Sequence, residues 1–276
     1  MNHSDFENEI KLGQRFEFGK NWSSFLNTVN EDNINNAQIS FLKVVGEYQL
    51  NGKSFLDIGS GSGLSSLVAK RLGANVFSFD YDPNSVNSTK ILKERYYSND
   101  SNWTIEQGSI LDKNYVEKLG KFDFVYSWGV LHHTGDMWNA IENAQLLVNN
   151  GGLFFIAIYN DQGFKSQIWK MVKRIYCSGY LGKLFVKLVF IPYFSIGYFL
   201  SDLIKLRNPF SRYSIYKEKR GMSIYHDWID WLGGYPFEVA KPEEINSFFD
   251  KKGFSLKKII ATKRLGCNEF IFSKNN

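Results

Sequence analysis

The chain has 276 residues, of which 43% are hydrophobic and 17% aromatic, so it can bury one sizeable core. Two cysteines, Cys177 and Cys267, and four scattered histidines show no metal-ligand spacing. This pattern indicates neither a disulfide framework nor a zinc site, and it favours a reducing compartment. We expect one α/β domain with an elaboration and no bound metal.

Residues 1–50 are predicted to form an N-terminal helical segment. Within it, Asn21 and Trp22 either close over a ligand as a lid or pack structurally. The first residues are polar and acidic, so no signal peptide is predicted. The longest uncharged apolar stretch, residues 188–201, is interrupted by Pro192 and Gly197 and is shorter than the roughly 20 residues of a membrane span. The sequence therefore predicts a cytoplasmic protein.

The most informative stretch is residues 55–66. It begins with an apolar run that contains one acid, and three glycines at alternate positions follow. A buried strand ends there, and a helical pattern begins at Leu64. Glycines let a backbone approach a ligand closely, and a helix N-terminus favours an anion. The dinucleotide fingerprint G-x-G-x-x-G needs a third glycine at position 64, so the loop favours a different nucleotide-type cofactor. Its acid and glycines are Asp57, Gly59, Gly61 and Gly63.

The next apolar strand, residues 75–79, leads directly into Asp80. A carboxylate at a strand tip can accept both hydroxyls of a ribose, which a nicotinamide enzyme also uses, so this position alone does not discriminate between cofactors. Tyr81 can lie against an adenine face. Asp82 and Pro83 are typical of an N-cap and a first helical turn.

Strands alternate with helices over residues 53–158, which predicts a parallel sheet with helices on both faces. Further strands are expected near residues 103–106, 122–126 and 153–158, with a helix over 136–148. A helix over 242–252 and strands near 254–261 and 268–273 return to the pattern. We therefore assign residues 51–160 and 241–276 to one sheet domain.

The intervening residues 161–240 are predicted to form a basic, aromatic helical cap inserted into that domain. Residues 165–220 contain twelve lysines and arginines and only two acids, Asp202 and Glu218, which gives a net charge of +10. Three interpretations stay open: a soluble cap with solvated lysines, which we favour narrowly, a surface for peripheral contact with an anionic membrane, or a cap that attracts an anionic substrate. Nucleic acid is not an expected partner, because no basic recognition motif occurs.

These motifs together resemble the class I S-adenosylmethionine (SAM)-dependent methyltransferases over nearly the whole chain, and most closely a bacterial subgroup loosely labelled ubiquinone- or menaquinone-type methyltransferases. The resemblance implies a Rossmann-like α/β sheet, mostly parallel with the last strand antiparallel, carrying a helical cap insertion. Besides the glycine loop, it rests on RFEFGKNW (15–22), YSWGVLHHTGDMW (126–138), IAIYNDQG (156–163), DWLGGYPFEVA (230–240) and GCNEF (266–270).

The resemblance also implies the cofactor and its site. SAM would be held at its methionine end by Asp57 and the glycine loop, and at its ribose by Asp80. Many family members carry an acid near the adenine amine, whereas this chain has Gly108, Ser109 and Ile110 there. The implied cofactor-binding residues are Asp57, Gly59, Gly61, Gly63, Asp80, Tyr81, Ser109, Ile110, Ser127 and Trp128.

The general base is not evident from the sequence. His132 and His133 follow the fourth strand at the cofactor end, where a histidine could remove a proton near neutral pH or could only cap a loop. Tyr159 ends the fifth strand and can contact substrate. We expect the acceptor pocket between that strand end and the insertion, with Tyr159, Trp228 and Tyr235 as candidate substrate-binding residues.

The sequence thus predicts a SAM-dependent methyltransferase that acts on a small or a lipid- or glycan-linked acceptor, with oxygen as the expected site of methylation. One alternative is a nicotinamide-dependent oxidoreductase, which Leu64 disfavours. Another is a non-catalytic SAM-binding regulatory or scaffold protein. The methyl acceptor and the oligomeric state are not predicted.

Overall fold

The computed structural model describes residues 3–26, 28–46, 48–209, 211–212, 216 and 224–276. Three cations of the predicted basic block, Lys217, Lys219 and Arg220, lie outside the described residues.

Three helices precede the sheet, and strands then alternate with helices. The N-terminal helices are α1 (His3–Lys11), α2 (Phe18–Leu26) and α3 (Glu31–Val45). The alternating part is β1 (Ser54–Ile58), α4 (Leu64–Arg71), β2 (Asn75–Asp80), α5 (Pro83–Tyr97), β3 (Trp103–Gln107), α6 (Lys113–Leu119), β4 (Phe122–Trp128), a 3₁₀ turn (Leu131–His133), α7 (Met137–Leu146) and β5 (Val148–Tyr159).

The insertion and the closing elements complete the described chain. They are α8 (Phe164–Cys177), α9 (Tyr180–Ile204), α10 (Ile224–Gly233), α11 (Pro242–Lys251), β6 (Phe254–Ile260) and β7 (Cys267–Lys274).

The strands form one sheet in the order β3-β2-β1-β4-β5-β7-β6. Strands β1 to β5 pair in parallel, whereas β7 pairs antiparallel with both β5 and β6. The predicted fold class is confirmed. The chain moves outward from β1 to β2 and β3 on one side and returns to β4 on the other, so the carboxyl ends of β1 and β4 flank a switch in strand order. Ligands of open α/β sheets bind at such a point.

The sheet is buried on both faces, because neighbouring residues of a strand point to opposite sides. Phe55 and Leu56 in β1 are both fully buried. Phe55 stacks on Phe124 at 5.3 Å between ring centroids, beneath α3 and α4. Leu56 faces the other layer, which holds Ile141 of α7 and Phe249 of α11. Burial on both faces makes the sheet a rigid platform for the residues at its carboxyl edge.

The insertion forms a smaller core of its own. Val172 of α8, Val186 of α9 and Leu232 of α10 are all buried together. The amphipathic helices expected from the sequence are present, but the expectation that Pro192 and Gly197 interrupt the apolar stretch is wrong. Helix α9 runs for 25 residues through both.

Tertiary packing explains this continuity. A proline inside a helix removes one hydrogen bond and costs about 3 kcal/mol, but Phe190 and Phe194, on either side of Pro192, both pack on Trp169 of α8. By length and composition alone, α9 is also long and apolar enough to cross a membrane, contrary to the sequence-based expectation.

Candidate functional site

The glycine loop leaves its backbone accessible at the end of β1. Gly59 and Gly61 have φ angles of 74° and 56°, in the left-handed region that favours glycine. A Cβ on Gly59 would lie 2.3 Å from Cγ1 of Val130, and a Cβ on Gly61 would lie 3.2 Å from Nε1 of Trp22. Side chains would therefore fill the space between this loop and the elements opposite it.

The acid after β2 is held by the same loop. Oδ2 of Asp80 accepts a hydrogen bond from the Gly61 amide at 2.9 Å, and Oδ1 accepts one from the Asp82 amide at 2.9 Å. Burial raises the pKa of Asp80 to about 7 despite these two donors. Additional donors such as ribose hydroxyls would stabilise the carboxylate form.

The acid within β1 has a different role. Asp57 is buried and accepts a hydrogen bond from Oγ of Ser66 at 2.5 Å. Ser66 in turn contacts Ser78 at 2.7 Å, and Ser78 accepts from Nε1 of Trp103 at 2.9 Å. Burial raises the pKa of Asp57 to about 6. This chain of bonds joins β1, α4, β2 and β3 directly beneath the loop.

A cavity of about 1120 Å³ opens beyond the carboxyl ends of these strands. Gly63 and Ser127 do not line it, although the sequence predicts both as cofactor-binding. Ser127 is fully buried and donates to the carbonyl of Ile58 at 3.3 Å, while Gly63 allows α5 to pack closely through Thr89. The predicted cofactor-binding residues that do line the cavity are Asp57, Gly59, Gly61, Asp80, Tyr81, Ser109, Ile110 and Trp128.

Many of the other residues that line the cavity are aromatic. Tyr159 at the end of β5 and Trp228 on α10 line it, as the acceptor-pocket prediction requires. Tyr235 is not among the lining residues, and its carbonyl instead accepts a hydrogen bond from the Phe16 amide at 2.8 Å. Further aromatic side chains that line the cavity are Phe16, Phe18, Trp169, Phe194, Tyr198 and Trp231.

The structure disfavours both histidines as general bases. His132 is fully buried outside the cavity wall, and burial lowers its pKa well below the ordinary value. His133 lines the cavity, but its Nδ1 lies 2.6 Å from the Pro236 carbonyl, and burial lowers its pKa to about 3. Both rings are thus neutral near pH 7, and a group with so low a pKa is a weak proton acceptor.

Asp230 is a stronger candidate that sequence reasoning missed. It lies on α10, faces the cavity, and accepts a hydrogen bond on Oδ1 from Nδ2 of Asn21 at 2.5 Å. Burial raises the pKa of Asp230 to about 7. The only signal in the sequence is that Asp230 begins the block of residues 230–240, because no local spacing relates it to Asn21.

A buried lysine lies next to this acid. Lys173 of α8 is fully buried, donates to the carbonyl of Trp231 and lies 4.3 Å from the centroid of the Trp231 ring. Burial lowers the pKa of Lys173 to about 7. The positive form of Lys173 favours the carboxylate of Asp230 and partly opposes the effect of burial on it.

The N-terminal segment contributes Arg15 and Trp22 to the lining of the cavity. Arg15 donates from Nη1 to the His133 carbonyl at 2.9 Å, and its guanidinium lies 5.0 Å from the centroid of the Tyr81 ring. The amide of Gly19, near the start of α2, donates to Oδ2 of Asp82 at 2.7 Å. Asp82 also caps α5 as predicted, accepting from the Asn84 amide at 2.8 Å. The lid function of residues 1–50 stays a prediction.

Metal ligation is not indicated in the part of the chain that the structure describes. No group of three His, Cys, Asp or Glu side chains there could hold an ion.

Comparison with known proteins agrees with this architecture. A family model described as a methyltransferase domain matches residues 31–186. The chain is 29% identical over 137 residues to a ubiquinone biosynthesis O-methyltransferase of Methylobacterium sp. (strain 4-46), covering 50% of this chain and 53% of that protein. It is 31% identical over 165 residues to a ribosomal protein L11 methyltransferase of Prochlorococcus marinus (strain AS9601), covering 59% and 48% respectively.

The chain thus spans about half the length of these curated relatives. Their names give two unlike acceptors, so the shared domain does not fix the acceptor. Among solved structures, magnesium protoporphyrin IX methyltransferase from Synechocystis PCC 6803 with bound S-adenosylhomocysteine shares the fold at a TM-score of 0.51 and 15% identity, covering 90% of this chain and 89% of that one.

Proposed function

Since the chain belongs to the class I SAM-dependent methyltransferases, we propose that it transfers a methyl group from SAM to the phenolic hydroxyl of an apolar, aromatic acceptor. The observation that carries the proposal is that Asp230, on the inserted helix α10, faces the same cavity as the glycine loop and Asp80. Its neighbours in the cavity lining are aromatic, and its hydrogen bond from Asn21 fixes its position.

The residues present fit SAM. The glycine loop leaves a cradle that side chains would fill, and Asp80 offers a carboxylate at the cavity wall for a ribose diol. At about 1120 Å³ the cavity is larger than an ordinary ligand pocket of 300–1,000 Å³, which leaves room for a second molecule. SAM supplies an activated methyl group when bound. The protein's own contribution is to orient the acceptor and to remove its proton.

Asp230 is the residue that we assign to proton removal. A general base works best when its pKa lies near the working pH, and the pKa of Asp230 is raised to about 7 by burial. The Asn21 amide holds one carboxylate oxygen, so the other is the one available to an acceptor hydroxyl.

The same pKa favours a phenol over an aliphatic alcohol. A phenolic hydroxyl has a pKa of about 10, roughly three units above that of Asp230, whereas water, as a guide to an aliphatic hydroxyl, has a pKa of about 15.7. The aromatic wall formed by Trp228, Trp231 and Phe194 suits a flat apolar ring. A lipid tail or a glycan on the acceptor is compatible with this assignment, and we propose that the protein acts in the cytoplasm.

The test is an acceptor screen. The protein is incubated with SAM and a panel of phenols, aliphatic alcohols and amines, each with and without a prenyl tail. Formation of S-adenosylhomocysteine and the mass of the product are measured. We expect turnover with phenols and an added methyl on oxygen. Turnover confined to amines would overturn the proposed acceptor class, and calorimetric binding of NAD without binding of SAM would overturn the proposed activity.

A further inference from the structure

We propose that the outer faces of α8 and α9 seat this protein on the surface of an anionic lipid bilayer, with α9 lying in the plane of the interface. The proposal does not depend on the identity of the methyl acceptor. It is argued from the exposed side chains of these two helices, from the packing of their inner faces and from the charge of the insertion.

Helix α9 presents a continuous apolar face to solvent. Leu181 is 78% exposed, Leu188 67% and Ile204 82%, and Leu206 just beyond the helix is 96% exposed. In the most apolar 18-residue window of α9, only 6% of the residues are buried. Apolar faces of this length on soluble proteins mark a surface that another phase or partner covers. The other large apolar residues exposed on it are Tyr180, Leu184, Phe185, Val189, Tyr193, Ile196, Phe199, Leu200 and Leu203.

Helix α8 has a narrower apolar stripe with cations on both sides. Phe164, which is 80% exposed, and Met171, 57% exposed, lie on one face of the helix. Lys165 projects on one side of this stripe, and Lys170 and Arg174 project on the other, all three exposed. An apolar face bordered by lysines and arginines is the pattern of a helix that lies in a membrane interface.

The inner face of α9 excludes a transmembrane arrangement. Val186 is 1% exposed, and Phe194 packs on Trp228 of α10 at 5.6 Å between ring centroids. Asp202 is also buried, at 3% exposure, in an ion pair with Arg212. A helix surrounded by lipid would have to give up these contacts and place the ion pair in hydrocarbon, whereas a helix lying flat keeps them.

Charge favours an anionic bilayer over a second copy of the chain. Two copies joined through α8 and α9 would bring like charges together, because the exposed cations of the described segment are Lys165, Lys170, Arg174, Lys183, Lys205 and Arg207. An anionic surface instead attracts each lysine or arginine near it. Cations at both ends of α9, Lys183 and Lys205, are exposed and can meet lipid headgroups.

The lipid-facing helix also forms part of the cavity wall. Tyr193 is 66% exposed and lines the cavity, as do Phe194 and Tyr198 on the same helix. A bilayer against the outer face of α9 would therefore contact a helix that also lines the proposed acceptor site.

The experiment is co-sedimentation of the full chain with liposomes of phosphatidylglycerol or of phosphatidylcholine, at low and at high salt. We expect at least tenfold stronger partitioning into the anionic liposomes at low salt, with release as ionic strength rises. The double variant Leu181→Glu, Leu188→Glu should lose at least tenfold of this partitioning. Leu146→Glu, at a leucine of α7 that is 49% exposed, is the matched control and should bind as the wild type does.

Circular dichroism and SAM affinity establish that each variant is folded. Equal partitioning of the double variant and the wild type would overturn the proposal, as would a lack of preference for phosphatidylglycerol. Sedimentation equilibrium without lipid tests whether a second copy of the chain occupies this face. If the wild type is a dimer and the double variant Leu181→Glu, Leu188→Glu is a monomer, the face is a dimer interface and the proposal is overturned.

Discussion

Asn21 and Asp230 are 209 positions apart in the chain, yet Nδ2 of the first lies 2.5 Å from Oδ1 of the second. This bond joins α2 of the N-terminal segment to α10 of the insertion. The candidate base is therefore positioned by a part of the chain outside the element that carries it.

Replacing the candidate base gives the most direct prediction. Asp230→Asn keeps the shape of the side chain but removes the proton acceptor, so turnover should fall by about 10²–10⁴-fold. SAM affinity should change little, because the expected SAM contacts, Asp80 and the glycine loop, belong to the sheet domain and Asp230 to the insertion. Single-turnover kinetics and calorimetry measure the two effects separately. Asp250→Asn, at an exposed acid on α11, is the matched control. Full activity of Asp230→Asn would exclude Asp230 as the base.

The hydrogen bond from Asn21 predicts a shift in the pH profile. A donor to a carboxylate lowers its pKa, so Asn21→Ala should raise the pKa of Asp230 above about 7. The acid limb of kcat/KM against pH should then move to higher pH, and activity should recover in alkaline buffer. Ser24→Ala, on the exposed side of α2, should leave the limb in place. A uniform loss of activity at all pH values would instead indicate a purely structural role for Asn21.

Binding of the ribose should depend on the charge of Asp80. Because burial raises its pKa to about 7, and ribose hydroxyls bond best to the carboxylate, affinity should rise with pH and level off above about 7. Methylthioadenosine is the suitable probe, since it has no titrating amine. In Asp80→Ala the affinity should fall at least tenfold, equivalent to roughly 1.5–3 kcal/mol, and the pH dependence should disappear.

The glycine loop allows a test that separates backbone strain from blocked space. Gly61 has a φ of 56°, and a Cβ there would approach Trp22. Gly120 has a φ of 75° but no heavy atom within 4 Å of its Cβ position. Gly61→Val and Gly120→Val therefore share the strain, and only Gly61→Val should abolish SAM binding by calorimetry. Comparable SAM affinity in the two folded variants would contradict a ligand at Gly61.

Removal of the hydroxyl of Ser66, beneath the glycine loop, should destabilise the protein to an extent that depends on pH. Asp57 has a folded pKa of about 6 against an ordinary value of 3.8, so the folded state binds its proton more tightly, and stability falls as pH rises between these values. Ser66→Ala removes the donor at 2.5 Å and leaves a buried carboxylate less satisfied. The free energy of unfolding should drop by about 1–3 kcal/mol above pH 6 and by less near pH 4. Ser65→Ala should not show this dependence in urea melts.

Local patterns were sufficient to predict the sheet, and most of the residues predicted to bind the cofactor line one cavity. Three features could be predicted because each depends only on residues that are neighbours in the sequence. They are the glycine loop, the strand that ends at Asp80 and the helix cap at Asp82. Ser127 does not line the cavity as predicted. Side chains alternate along β4, and the side chain of Ser127 points to a covered face of the sheet, where it is fully buried.

The substrate side could not be predicted in the same way, because its contacts join distant segments. His133 precedes α7, and its pKa is lowered by burial within the folded molecule. The bond between Asn21 and Asp230 has no signature in residue spacing. Continuity of α9 through Pro192 likewise depends on Trp169, which belongs to another helix.

The carboxylate of Asp82 accepts hydrogen bonds from the backbone amides of Gly19 and Asn84, so it anchors the first turns of both α2 and α5. Helix α2 has nine residues and is too short to persist in isolation. Its docked position depends on tertiary contacts of this kind. The rate of hydrogen–deuterium exchange at the Gly19 amide should consequently report how often α2 detaches, because that amide is protected by its bond to Asp82. Comparing that exchange rate with the dissociation rate of S-adenosylhomocysteine would reveal whether product release waits for α2.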